Sequence, residues 1–143
     1  HARYKGLSIE KGVMDTLYSP RFDGIPCRVM KTDAAARAIR RGLNLPAAFV
    51  NSREIATQLG IPYLKLFLGV LASGWKNARQ LAFMANGFKA MRIATEEGDM
   101  ACGVLPVGQA TGLIRDEPTV KEVIERIVAE AAQVKEKMVS RFA

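Results

Sequence analysis

Apolar positions recur with a helical period in the last quarter of the chain. Val120, Val123, Ile124, Ile127, Val128, Ala131, Val134 and Met138 fall on one face, which predicts an amphipathic helix over about Thr119 to Ser140. Thr119 and Glu122 form a T-x-x-E capping box at its start. The hydroxyl accepts from one orphan amide and the carboxylate reaches back to another. A helix with such a face must pack against something. Ala78, Leu81, Ala82, Ala85, Phe88 and Met91 repeat the period and predict a helix from Trp75 to about Thr95. Pro62 suits the first position of a helix running to about Leu71, which Ser73-Gly74 breaks.

The first half is more punctuated. His1 to Gly12 reads as a short helix, and Val13 to Tyr18 leans to extended structure until Ser19-Pro20. Arg21 to Lys31 reads as loop or short extended chain. Thr32 or Asp33 caps an alanine-rich helix over Ala34 to Arg41, stopped by Gly42. The segment opened by Pro46 is ambiguous. Ser52 is a candidate cap for a helix over Arg53 to Leu59. No alternating strand and helix pattern and no repeat is visible. The chain reads as mainly α-helical, with too few strands for a self-contained sheet.

Between the last two long helical patterns lies the densest glycine run, Gly98, Gly103, Gly108 and Gly112. Such clustering points to tight turns or to close approach of the backbone to something else. It lacks the Gly-Lys-Ser/Thr of a P-loop and is no GxGxxG after a strand. A helix-connecting loop and a ligand-lining loop both fit. Gln109 both donates and accepts hydrogen bonds, so it suits a carbonyl, a nitro oxygen or a ring nitrogen, or its own neighbours' backbone.

Composition narrows the remaining chemistry. The 143 residues carry a net charge of +7, compatible with nucleic acid, an anionic cofactor, an acyl-CoA or a merely solvated basic face. The aromatic residues do not interleave with the basic ones as a stacking platform needs. Two separated cysteines, Cys27 and Cys102, form no CxxC and suit a reduced, cytoplasmic compartment. One histidine and no ligand-spaced carboxylates argue against a metal site. No apolar run approaches the ~20 residues of a membrane span. Trp75, Phe83 and Phe88 read as core, Cys27 and Cys102 as small packed residues, and Asp15, Asp23, Asp99 and Asp116 as turn or cap residues. The start at His1 reads as the edge of an excerpt.

Three blocks then match a known family in order and spacing. Gly98-Asp99, Gly103, Gly108-Gln109-Ala110-Thr111-Gly112-Leu113-Ile114 and Asp116-Glu117-Pro118-Thr119, leading into Glu122-Val123-Ile124, resemble the C-terminal signature of the nitronate monooxygenases. These were formerly called 2-nitropropane dioxygenases and are related to flavin-dependent enoyl-ACP reductases. Phe22-Asp23-Gly24-Ile25-Pro26-Cys27-Arg28 through Thr32 resembles the family's Phe-x-Gly-x-Pro-Ala-Arg-x-x-x-Asn segment, and His1 to Lys5 resembles the stretch after its last barrel strand. Residues 34–88 carry no match. Cys27 stands where alanine is usual, Thr32 where asparagine is usual, and Pro106 where some members carry serine.

The resemblance implies an FMN-binding TIM-barrel enzyme whose barrel strands and catalytic histidine lie upstream. This chain would be its C-terminal helical, lid-forming part. Residues 1–32 would be the post-barrel connection, 33–97 the helical substrate domain, 98–118 the active-site loop and 119–143 the C-terminal helix. Gly108, Gln109 and Gly112 would lie near the flavin and substrate, with no catalytic residue in this chain. The implied substrate is a nitronate oxidised with oxygen, or an enoyl- or acyl-CoA thioester, with NAD(P)H a candidate electron donor. No nucleic acid or membrane partner is implied, and self-association stays open. A free-standing basic helical binding domain is the reading from a different class.

Overall fold

A short antiparallel hairpin sits at the centre of the computed structural model, which describes residues 1–142. Its strands are β1 (Thr16–Ser19) and β2 (Cys27–Met30), paired Thr16 to Met30 and Ser19 to Cys27. Successive strand residues point to opposite faces. Val29 and Met30 are nonetheless both 1% exposed, so both faces of β2 are covered. Val29 packs with Phe22, Ala34, Ala35 and Val104, and Met30 packs with Tyr4 and Ala94.

The described residues also form six helices: α1 (Ala2–Glu10), α2 (Asp33–Arg41), α3 (Leu45–Gln58), α4 (Tyr63–Ala72), α5 (Trp75–Arg92) and α6 (Val120–Phe142), with α2 against β1 and with α3, α4 and α5 packed on one another. The fold is therefore mostly helical with one two-stranded sheet, as the pattern predicts. Local chemistry sets several ends. Thr32 accepts from the Ala35 amide at the start of α2, and Gly42 closes it with φ +66°. At its far end α5 runs into a π-helical turn, Ile93–Glu97, ended by Gly98. Just before this turn the Ala90 carbonyl accepts from the Ile93 amide and also from the Val104 amide at 3.0 Å.

One boundary differs from the sequence reading. The ambiguous segment is one helix, α3, and Asn44, not Ser52, caps it by accepting from the Ala47 amide. Pro46 lies in the first turn, where its missing N–H is no loss. The Ser52 hydroxyl instead donates back to the Phe49 carbonyl at 2.9 Å within the helix. Of the three aromatics read as core, only Phe83 is buried. Trp75 is 76% exposed and Phe88 46%.

The capping box forms as the spacing predicts. The Thr119 amide donates to Glu122 at 2.7 Å and the Glu122 amide donates to the Thr119 hydroxyl at 3.3 Å. These bonds hold the Glu122 carboxyl below the usual carboxylate range, the backbone amide first and the hydroxyl next. A depressed carboxyl stabilises above its unfolded value and loses that effect as pH falls through its folded value. Acidification is therefore expected to reduce amide-exchange protection in the first turn of α6, and Glu122→Gln is expected to remove that pH dependence. Beyond its cap, α6 has no buried residue among those described. Its apolar face lacks the partner that the pattern calls for. Residue 143, the end of the predicted C-terminal segment, lies outside the described residues.

Candidate functional site

The glycine-rich loop is fixed to β2 as an irregular third strand. The Met30 amide donates to the Leu105 carbonyl at 2.9 Å and the Val107 amide donates to the Arg28 carbonyl at 3.1 Å. Val29 and Pro106 form a single bridge, and proline, with no N–H, cannot extend it. Upstream, the buried Tyr4 hydroxyl donates to the Gly103 carbonyl at 2.8 Å and to the Asp99 carbonyl at 3.2 Å. Burial first, and the charge of Asp99 next, push this phenol above its ordinary value. Tyr4 thus stays protonated and acts as a strut.

The glycines divide by what surrounds them. A Cβ at Gly103 would lie 2.6 Å from the Asp99 carbonyl oxygen, 2.7 Å from the Tyr4 hydroxyl and 2.8 Å from Ala94 Cα. A Cβ at Gly112 would overlap the Val13 amide and lie 2.6 Å from the Gly12 carbonyl carbon. Both glycines permit close packing inside this chain. Gly108 differs, since a Cβ there would meet nothing nearer than 3.9 Å. It precedes a short 3-10 turn, Gln109–Leu113, held by the Thr111 amide donating to the Gly108 carbonyl at 3.1 Å. Gln109 is exposed and its amide has no hydrogen-bond partner among the described residues. The structure thus brings Gly108 and Gln109 together on an open edge and turns Gly112 inward against residues 12–13.

The other candidate side chains are structural. Burial, with help from Asp23, pushes the Cys27 thiol up to about 11, and it faces Asp23 Oδ1 at 3.5 Å. A thiol so held is no nucleophile at neutral pH. Cys102 is exposed rather than packed. Asp15, Asp23 and Asp99 each accept from a nearby backbone amide, and Asp116 pairs with Arg126 at 2.7 Å. No group of three metal-ligating side chains occurs among the described residues.

A second feature lies on the helices. An open apolar cavity of about 340 Å³ separates α3, α4 and α5. Phe49 meets Tyr63 and Phe67 edge-on, with centroids 5.6 and 5.9 Å away. The Arg53 guanidinium stacks over Phe49 at 5.0 Å and Tyr63 at 5.4 Å. Ser52 and Tyr63 hydroxyls meet at 3.3 Å. Sequence reasoning did not find this cavity. The available signal was the composition of α4, which is apolar on every side except at Lys65. No single helix among the described residues is long and apolar enough to cross a membrane, although α3 and α4, bent by 120°, pass that test together.

No protein-family model matches the chain. A Rhodococcus jostii protein, (3aS,4S,5R,7aS)-5-hydroxy-7a-methyl-1-oxo-octahydro-1H-indene-4-carboxyl-CoA dehydrogenase, is 33% identical over 128 residues, 86% of this chain and 36% of that relative. The dehydrogenase of the same name from Mycobacterium tuberculosis is 27% identical over an equal length. The chain thus spans about a third of the length of the curated relatives it matches. Among solved structures, FabK from Thermotoga maritima aligns with 98% of the chain and 34% of its own, at a TM-score of 0.56 and 24% identity. A point mutant of that FabK gives a TM-score of 0.57 at 23% identity. At these identities the likeness establishes a shared fold.

Proposed function

We propose that this chain is the helical part of a flavin-dependent oxidoreductase acting on a cyclic acyl-CoA thioester. The observation that carries the reading is the 33% identity, over 86% of the chain, to a dehydrogenase named for a bicyclic carboxyl-CoA substrate. The fold shared with a third of FabK supports a body larger than this helical assembly. The uncovered apolar face of α6 supports it too, because exposing such a stripe to water is unfavourable.

FMN is the cofactor implied by the motif resemblance. The open backbone at Gly108 and the unengaged amide of Gln109 fit one edge of a flat ring system. The residues here offer no phosphate-binding glycine loop, so that role falls to the proposed barrel. A bound flavin supplies two-electron chemistry, while the protein supplies orientation and access. In this reading Gln109 orients a substrate oxygen or a flavin edge, Gly108 permits approach, and Gly112 positions both by locking the turn onto residues 12–13.

Gln109→Ala in the full-length holoenzyme is expected to lower kcat/KM by about tenfold, the loss of one hydrogen bond in a site. Steady-state kinetics with the visible flavin spectrum check this, and unchanged values for both would remove Gln109 from the site. A nitronate as substrate is the second reading. It is favoured by Gly108-Gln109-Ala110-Thr111-Gly112, which resembles the nitronate monooxygenase signature. Parallel turnover assays with propyl-2-nitronate and a cyclic acyl-CoA separate the two.

A further inference from the structure

We infer that the cavity between α3, α4 and α5 receives the hydrocarbon ring of the CoA thioester, with the arginines at its edge facing the anionic carrier. This rests on the acyl-thioester reading above and adds where that substrate sits. The first support is size and lining. A volume of about 340 Å³ lies within the range of small-molecule sites. Its walls are aromatic and aliphatic, with Phe49 and Trp75 left 43% and 76% exposed. Flat and mostly apolar walls of this kind suit a ring, with Ser52, Tyr63 and Arg79 the polar side chains among them.

The second support is charge. Leu43 lines the cavity, and the chain reaches it from Arg40, Arg41 and Gly42. A side chain from elsewhere joins them: Arg21 Nη2 donates to the Arg40 carbonyl at 3.5 Å, and a Cβ at Gly42 would lie 2.8 Å from that same nitrogen. Arg79 lines the cavity itself, over the Phe83 ring at 5.7 Å. None of these four arginines has a carboxylate partner among the described residues. Gathering cations without a counter-charge is unfavourable, and a bound polyanion reverses that cost. A mostly apolar cavity with one unpaired arginine on its wall and others on the chain that leads into it therefore complements a ligand that is hydrocarbon at one end and phosphorylated at the other.

The test is calorimetric binding to the full-length holoenzyme of cyclohexanecarboxyl-CoA, acetyl-CoA and free CoA. Ala82→Phe fills the cavity, and Trp75→Ala removes an exposed wall without touching the core. Each is expected to weaken cyclohexanecarboxyl-CoA at least tenfold and to leave acetyl-CoA within twofold. The double variant Arg40→Gln/Arg41→Gln is expected to weaken all three ligands at least fivefold and to flatten their salt dependence. Wild-type binding of cyclohexanecarboxyl-CoA that stays within twofold in Trp75→Ala and in the arginine variant overturns the cavity assignment and leaves the acyl-thioester reading standing. Failure of the flavin-loaded wild type to bind any of the three overturns that reading itself.

Discussion

Replacing Gly103 by alanine is expected to destabilise the protein by about 3–5 kcal/mol. The added methyl has no free volume. It would enter a space bounded by the Asp99 carbonyl, the Tyr4 hydroxyl and the Ala94 Cα, all at 2.8 Å or less. Two of these neighbours are backbone and cannot swing aside. Only Tyr4 can yield, and its movement breaks the bonds to the Gly103 and Asp99 carbonyls. Overpacking costs about 1–3 kcal/mol and an unsatisfied buried acceptor a similar amount. Tyr4→Phe separates the two effects, because it removes the bonds and adds no atoms. It is expected to cost about 1–2 kcal/mol. Denaturant unfolding of both variants checks the pair, and a smaller loss for Gly103→Ala than for Tyr4→Phe contradicts the steric account. The raised Tyr4 phenol adds a pH signature. Its stabilisation is complete below the unfolded value and is lost as pH rises through the folded one. Tyr4→Phe is expected to flatten that alkaline limb.

Met30→Ala is expected to cost about 2–5 kcal/mol, the range for truncating a fully buried long side chain. Met30 is 1% exposed and shares a cluster with Tyr4 and Ala94. Its amide also holds the Leu105 carbonyl, so the residue joins the hairpin, α1, the end of α5 and the loop. The truncation empties the side of β2 against which that loop rests. Both local disorder of the loop and global loss of stability should follow, and hydrogen exchange at Val104 to Val107 reads the first. The effects of Met30→Ala and Gly103→Ala should not add, because both act through Tyr4. A double mutant equal to the sum of the singles would show that the two sites are independent.

Much of the fold is legible in the sequence where structure is decided locally. Thr32 and Gly42 mark α2, and Thr119 with Glu122 marks α6, because a cap needs only residues three or four apart. Ser52 misleads because its hydroxyl has two local uses, capping a new helix or bonding back within one. The choice falls to Asn44 and Pro46 upstream. The glycine cluster is visible in the sequence, but the surfaces that demand it are not. Tyr4 and Gly103 are 99 positions apart, and Gly112 meets a backbone at Gly12 and Val13 that no local pattern announces. Gly108 and Gln109 stand out as an open edge only after the neighbouring glycines are accounted for by packing. The cavity is hidden for the same reason. The apolar excess of α4 is plain, yet the cavity's walls come from three helices, and Arg21 meets the end of α2 from a loop before them.

The most direct test of the account is anaerobic mixing of the full-length holoenzyme with a cyclic β-hydroxyacyl-CoA thioester and, separately, with propyl-2-nitronate, followed by the visible flavin absorbance. The expected result is a holoenzyme that carries FMN, bleached by the thioester and not by the nitronate. A protein that carries no flavin, or one whose flavin is bleached by the nitronate alone, contradicts it.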